Sequence, residues 1–454
     1  MSETGNMTQG REWKHILLFA LPLMGGHALQ QLYNAVDGII VGNYVGDAAL
    51  GAVGTCLPLT MLFVALAIGM SNGSAVVIGQ YYGAGKLGEM RRAVSSSIIL
   101  MLILGVVLSV VGVLTARPLL VHALSVGDLY IEYAVSYFAI YAVGLVFQFA
   151  YNIFAAVLRA LGDSRATLYF LLISSVTNIV LDLLFVIGFQ WGVAGAAIAT
   201  VISQALSAVT AAVYMVRKHE VLRFTGGEFR FHRASVALTM RLALPITLQQ
   251  CVVSCGNLAM QRIINDFGAV YNGLMSGTTA GMRLESFILI PIFCFNSSMA
   301  TFTSQNVGAG ELERVKRGRR SATLMGCAIC VTVAAVTFLL RRQLVGLFGV
   351  SELGMGYGML YLQILCPSLV LFCLHMVTAG VIQGAGDAKF AAFLTLSSFL
   401  VRCIFAYAAA YCTPLEYRAV WLSIPLGWIY SIALSWDRYY RGAWKKKSIA
   451  NVKT

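Results

Sequence analysis

The chain has 454 residues, 59% of them hydrophobic and 11% charged, with a mean hydropathy of +0.79. That balance excludes a soluble multidomain protein, and apolar stretches of about 20 residues recurring from end to end mark a polytopic helical membrane protein. The net charge of +13 does not point to nucleic acid: of 32 Lys and Arg, 25 fall in the two tails and the even-numbered loops, four (Arg117, Arg341, Arg342, Arg418) in odd-numbered loops and three within spans. Basic residues collect on the cytoplasmic side of membrane proteins, so both termini and the even loops are expected there, in a multi-pass protein of the cell membrane. The ten cysteines lie mostly in apolar segments, Cys251, Cys255, Cys327 and Cys330 among them. The Cys327/Cys330 spacing mimics a redox pair, but inside a span it reads as small apolar residues.

In chain order, a short tail (1–13) leads into a first span from about His15 to Val41, expected to be retained because no small-residue cleavage site follows it. It carries Pro22, a helix breaker that membrane helices tolerate, and His27, Gln30, Asn34 and Asp37 then recur at three- and four-residue spacing as one polar stripe. The second span (49–80) ends in GQYYGAGK, and the third covers 93–116. The fourth carries Tyr137, Tyr141, Gln148 and Asn152 and leaves through LRALGDSR (158–165). The fifth, 171–187, places Ser174, Asn178 and Asp182 on one helical face. A carboxylate at that depth costs about 2.5–3.5 kcal/mol, so it normally faces protein or water and has a task. With the carbonyl of Asn178 one turn away, it resembles half of a cation site. The sixth span (193–216) has Thr200, Ser203, Gln204 and Ser207 on its polar side, and Gly195, Ala196, Ala197 and Ala199 for close helix approach.

A charged linker (217–234) follows, and then the pattern repeats. Leu244-Pro245 and Asn257 echo Leu21-Pro22 and Asn34 at an offset of 223, SQNVGAGE echoes GQYYGAGK at 225, and QGAGDAK echoes RALGDSR at 224. The expected fold is therefore all-α: two pseudo-symmetric six-helix bundles, 14–216 and 235–440, in parallel orientation, with a basic tail at 441–454. The GAG turns lack the strand-to-helix setting of a phosphate loop and read as loop turns.

The copies differ where the chemistry lies. By the same offsets Asp37 maps onto Met260, Asp182 onto Ala406 and Asn178 onto Arg402. Two embedded acids thus survive in the first half alone. With Asn178 and Thr200 they supply the oxygen ligands a hard cation such as Na+ takes, and two neighbouring acids would equally suit protons, titrating as a unit. Interhelical hydrogen bonding is the other reading of Asn178 and Thr200. In the second half, Glu285 is the one embedded acid, with Arg283 off its face and Arg402 as a partner expected from charge balance. Nothing in the sequence supports hydrolytic or metal chemistry, and no cofactor is implied beyond the coupling ion.

These landmarks resemble the multidrug and toxic compound extrusion (MATE) family. The resemblance runs from about Arg11 to Tyr440 and rests most on LPLMGGHALQQLYNAVDGIIVG (21–42), GQYYGAGK, LRALGDSRATLYF, TNIVLDLLF and GMRLESFILIP (281–291). It implies twelve transmembrane helices in two lobes and export of small molecules in exchange for inward H+ or Na+. In the branch with first-lobe acids, the family's coupling residues match Asp37, Asn178, Asp182 and Thr200. A second branch keeps acids in the seventh and tenth spans, where this chain has Met260, Gln261 and His375 instead. Amphipathic cationic substrates would suit a cavity lined by Gln30, Tyr33, Asn34, Tyr137, Tyr141, Gln148 and Asn152. A monomer is expected, since the repeat supplies both halves. The alternative is a flippase for a lipid-linked precursor, which would need an Arg- and Lys-rich groove; only Arg262, Arg283 and Arg402 are embedded.

Overall fold

The structure, a computed structural model, describes residues 5–45, 47–123, 128–224 and 228–449. The linker's Gly226-Gly227 pair, the first four residues of the N-terminal tail and the last five of the basic tail lie outside the described residues. In chain order the helices are α1 Glu12–Tyr44, α2 Asp47–Gly83, α3 Leu87–Pro118, α4 Asp128–Ala160, α5 Ser164–Asp182, α6 Gly192–Lys218 and α7 Arg233–Gly268. They continue with α8 Leu274–Ile288, α9 Ile290–Gly308, α10 Leu312–Leu339, α11 Arg341–Gly346, α12 Glu352–Gly384, α13 Ala388–Cys412 and α14 Arg418–Tyr440. Twelve segments are long and apolar enough to cross a membrane, with α8 and α9 forming one of them. No strand occurs among the described residues. The fold is all-α, as read from the sequence.

Helices are the outcome because a chain in hydrocarbon must satisfy every backbone group within itself. Where they end, glycine takes over: Gly85, Gly162, Gly310 and Gly386 all have φ between +70° and +94°, a left-handed conformation a Cβ disfavours. These four are the repeated GAG and GD turns.

Two compact units emerge, one of residues 1–6 and 25–250, the other of 7–24 and 251–454. The division does not follow helix ends: α1 changes unit between Met24 and Gly25, just past Pro22, and α7 between Gln250 and Cys251, after Pro245. In the first unit α4 is the hub, packed by α2, α3 and α6; its Phe138, Leu145 and Phe149 are almost wholly buried. The first half of α7 lies against α2, where a Cβ on Gly73 would sit 2.3 Å from the Cα of Ala243. Only glycine allows that approach.

The second unit repeats the plan around α12, which matches α4 at an offset of 224, has the same length of 33 residues and packs against α8, α9, α10 and α14. Residues 7–24 belong here. Buried Arg314 donates to the carbonyls of Met7 (3.2 Å), Gln9 (2.8 Å) and Gly10 (2.7 Å), and pairs with Glu12 at 3.4 Å. The Met7 N–H donates to Gln305 Oε1 at 2.9 Å. The end of the N-terminal tail is therefore built into the fold.

The two GD turns are fastened differently. Asp163 Oδ1 caps α5 through the Ala166 N–H (3.1 Å), and Oδ2 accepts from Tyr214 (2.9 Å) and lies 3.2 Å from His219 Nε2. Its counterpart Asp387 accepts two bonds from Arg438, at 2.9 and 2.7 Å. Burial alone would raise the Asp163 pKa, but the bonds from His219, Ala166 and Tyr214 outweigh it and hold the carboxyl below its usual value. A depressed folded-state pKa gives stability that is complete above the unfolded value of about 3.9 and is lost as the pH falls through the folded one. Asp163→Ala should therefore lower the thermal midpoint at pH 7 by about 2–4 °C, as expected for a lost cap of about 1 kcal/mol, and flatten the acid limb of the midpoint-against-pH curve.

Candidate functional site

The fifth span does not stay α-helical. α5 ends at Asp182, and Leu183–Gly188 follow as a π-helical turn, with the Phe189 N–H reaching back five residues to Leu184 O at 2.8 Å. Such widened turns are rare and occur mostly at functional sites. Asp182 stands at the junction, wholly buried, and neither carboxylate oxygen has a hydrogen-bond partner among the described residues.

One turn earlier Asn178 is 2% exposed. Its Nδ2 donates to Thr200 Oγ1 at 3.4 Å, and that hydroxyl spends its own hydrogen on the Ala196 carbonyl at 3.0 Å. The chain of donors is thereby used up, leaving Asn178 Oδ1 buried without a partner. α6 comes this close because it is lined with small residues; a Cβ on Gly195 would lie 3.1 Å from the Phe185 carbonyl carbon. The same small residues were the sequence's signal for close approach.

Asp37, on the second half of α1, also has a buried oxygen, Oδ1, without a partner. It is near enough to Asp182 for the two charges to interact, and its charge reaches Tyr33 and Tyr137 as well. Tyr137 and Tyr141 are buried and stacked, ring centres 6.3 Å apart. Gln30 is in hydrogen-bonding range of both His27 and Tyr33. The first unit thus gathers four unpartnered acceptor oxygens from α1 and α5, beside three tyrosines from α1 and α4. Chemically such a cluster suits something positive: a hard monovalent cation or a proton at the oxygens, and a larger cation against the rings.

The remaining expected lining residues are less engaged. Asn34 is exposed, and Asn152 donates to the carbonyl of Gln148 at 2.8 Å within α4 itself. Asn257, the repeat of Asn34, lies in α7.

In the second unit the expected Glu285–Arg402 ion pair is not formed. Glu285 instead accepts a hydrogen bond from Tyr361 of α12, and no nitrogen of Arg402 comes within 4.0 Å of its carboxylate, although the charges interact at longer range. A full-length acid and a full-length base one helix apart do not meet because a buried tyrosine takes the acid first. Arg283 is exposed. Tyr361 went unnoticed in the sequence: one tyrosine among 20 carries no signal until the fold sets it against an acid.

Twin helical units of membrane-spanning helices, with unpartnered acceptors embedded in one of them, have the organisation of a membrane transporter. The MatE family profile matches residues 22–184 and 245–408, one stretch in each half, and the chain belongs to that family of multidrug efflux transporters. The probable multidrug resistance protein YpnP of Bacillus subtilis is 27% identical over 448 residues, covering 99% of both chains. A crystal structure of MATE in complex with MaL6 superposes with a TM-score of 0.91 at 27% identity, covering 98% of this chain and 100% of that one. A second, described as the outward-facing conformation of a multidrug resistance MATE family transporter, has a TM-score of 0.91 at 26% identity, with coverage of 98% and 99%. A flippase for lipid-linked precursors is not favoured by these relatives.

A buried carboxylate without donors costs folding energy, so its removal should not harm the fold. Asp182→Asn is expected to insert and purify as a monodisperse protein with a thermal midpoint at or above that of wild type. A drop of several degrees would mean that the carboxylate serves packing instead.

Proposed function

We propose that this protein is a secondary-active antiporter that exports amphipathic cations in exchange for inward H+ or Na+. The single observation supporting this most directly is Asp182, wholly buried with both oxygens unpartnered, beside the unpartnered carbonyl of Asn178 and within reach of the Asp37 charge. An anionic cluster of this kind gains from any cation that enters it, and its occupied and empty forms favour different helix arrangements. Thr200 holds Asn178 with its carbonyl free to act as a ligand.

The ion is Na+ or H+ at Asp37, Asn178, Asp182 and Thr200; all the donors are oxygen, and no further cofactor is invoked. Binding neutralises the acids and lets α1 change shape just past Pro22, where the helix passes from one compact unit to the other. The cavity beside Tyr33, Tyr137 and Tyr141 then loses its attraction for a bound organic cation, which leaves outward. Release of the ion inward resets the cycle, giving alternating access. From the distribution of Lys and Arg we place the chain in the cell membrane with both termini cytoplasmic, acting as a monomer.

In vesicles carrying the purified full-length chain, a fluorescent organic cation should be driven uphill by an imposed Na+ or pH gradient. Asp37→Asn and Asp182→Asn should each cut that gradient-driven flux at least tenfold. Full flux in both variants would end the coupling proposal. The gradient that drives wild type, sodium or pH, names the ion.

A further inference from the structure

Arg402 is the group that the cycle above leaves without work. It lies in the middle of α13, in a segment apolar enough to cross a membrane. An arginine there is costly and is normally paired with an acid or with backbone carbonyls. This one makes no ion pair and no hydrogen bond with any described residue, and its Nε is buried without an acceptor. What holds the side chain is packing. Its Cγ and Cδ lie where a Cβ on Gly427 of α14 would be, at 2.4 and 2.5 Å, and the guanidinium sits over the Phe399 ring at 5.4 Å. Gly427 thus makes room for the stem and Phe399 takes the face of the guanidinium, while the buried Nε–H in its plane keeps no acceptor.

The surroundings favour negative charge entering from outside the protein. Glu285 is the acid whose charge interacts with Arg402, but it is not in contact and its carboxylate is engaged by the Tyr361 hydroxyl. The Tyr361 ring stands edge-on to Trp421 at 5.7 Å, and the buried Trp421 Nε1–H is another donor without an acceptor. The repeat sharpens the contrast. Arg402 occupies, at an offset of 224, the position of Asn178, and Ala406 that of Asp182. At the depth where the first unit gathers unpartnered acceptors, the second presents unpartnered donors.

We propose that Arg402 is a specificity-determining residue of the second unit that takes the carboxylate of a zwitterionic organic substrate, with Glu285, held by Tyr361, balancing its charge. A guanidinium fork matches a carboxylate with two parallel hydrogen bonds, and partial burial strengthens them. The cationic end of the same compound meets the Glu285 charge. This assigns a specificity-determining residue within the transport reading above and rests on that reading only for the step of export; binding alone tests it.

Rhodamine 110, whose carboxylate is free, and rhodamine 123, its methyl ester, differ only at the group in question. Fluorescence polarisation with the purified full-length chain gives the affinity for each dye. Arg402→Gln should shift the affinity ratio at least about tenfold against rhodamine 110, the loss expected for charge-assisted hydrogen bonds. Glu285→Gln should shift the ratio the other way, because the arginine loses its balancing charge. Opposite shifts in two variants cannot come from misfolding. Equal losses for both dyes, an unmoved ratio in either variant, or wild type binding neither dye would overturn the proposal. Gradient-driven export of the same dyes from vesicles keeps the two readings apart. Altered binding ratios without export leave this site standing and remove the antiporter; export of the ester with an unmoved ratio does the reverse.

Discussion

An acidic side chain in an apolar span, left without a donor, is the constraint on which the structure turns. The protein could have silenced Asp182 with a hydroxyl from α6. Thr200 meets α5 at Asn178, one turn before Asp182, but it gives its hydrogen to the Ala196 carbonyl and accepts from Asn178. The network is wired so that acceptors remain over. A carboxylate in this state gains most from a mobile positive charge, and in the coupling proposed above the atoms that cost stability are the ones that would take the ion.

Around this constraint the duplicated scaffold is conservative. α4 and α12 hold each unit together in the same way, and the glycine turns recur with the same left-handed φ. The divergence that bears on the site lies at polar positions. At the GD turns one copy secures its aspartate with a tyrosine and a histidine, the other with an arginine. At mid-span one copy holds acids, the other an arginine. Duplication fixes where helices run, because packing demands it, and leaves individual polar groups free to change sign.

The legible and illegible parts of the molecule divide along the same line. Helix number, their turns and the repeat could be read because they rest on local rules: apolar length, left-handed glycines, and similarity at a fixed offset. Asp37, Asn178 and Asp182 could be read because a polar group in a long apolar run is conspicuous. Gly195 to Ala199 announced the tight α5–α6 approach because small side chains in a span have few other uses. The polar stripe on α4 was legible as a stripe, yet Asn152 bonds within its own helix, since a short amide can reach the carbonyl four residues back.

The sequence by itself determined an all-helical membrane protein, its twofold internal repeat and the asymmetric pair of acids, because each depends on spacing along one chain. Only the tertiary structure decided that Asp182 sits at an α-to-π junction, that Arg314 ties down the residues before α1, and that Tyr361 takes Glu285 from Arg402. Those outcomes depend on which side chain from a distant helix arrives first, and competition of that kind leaves no trace in a linear pattern.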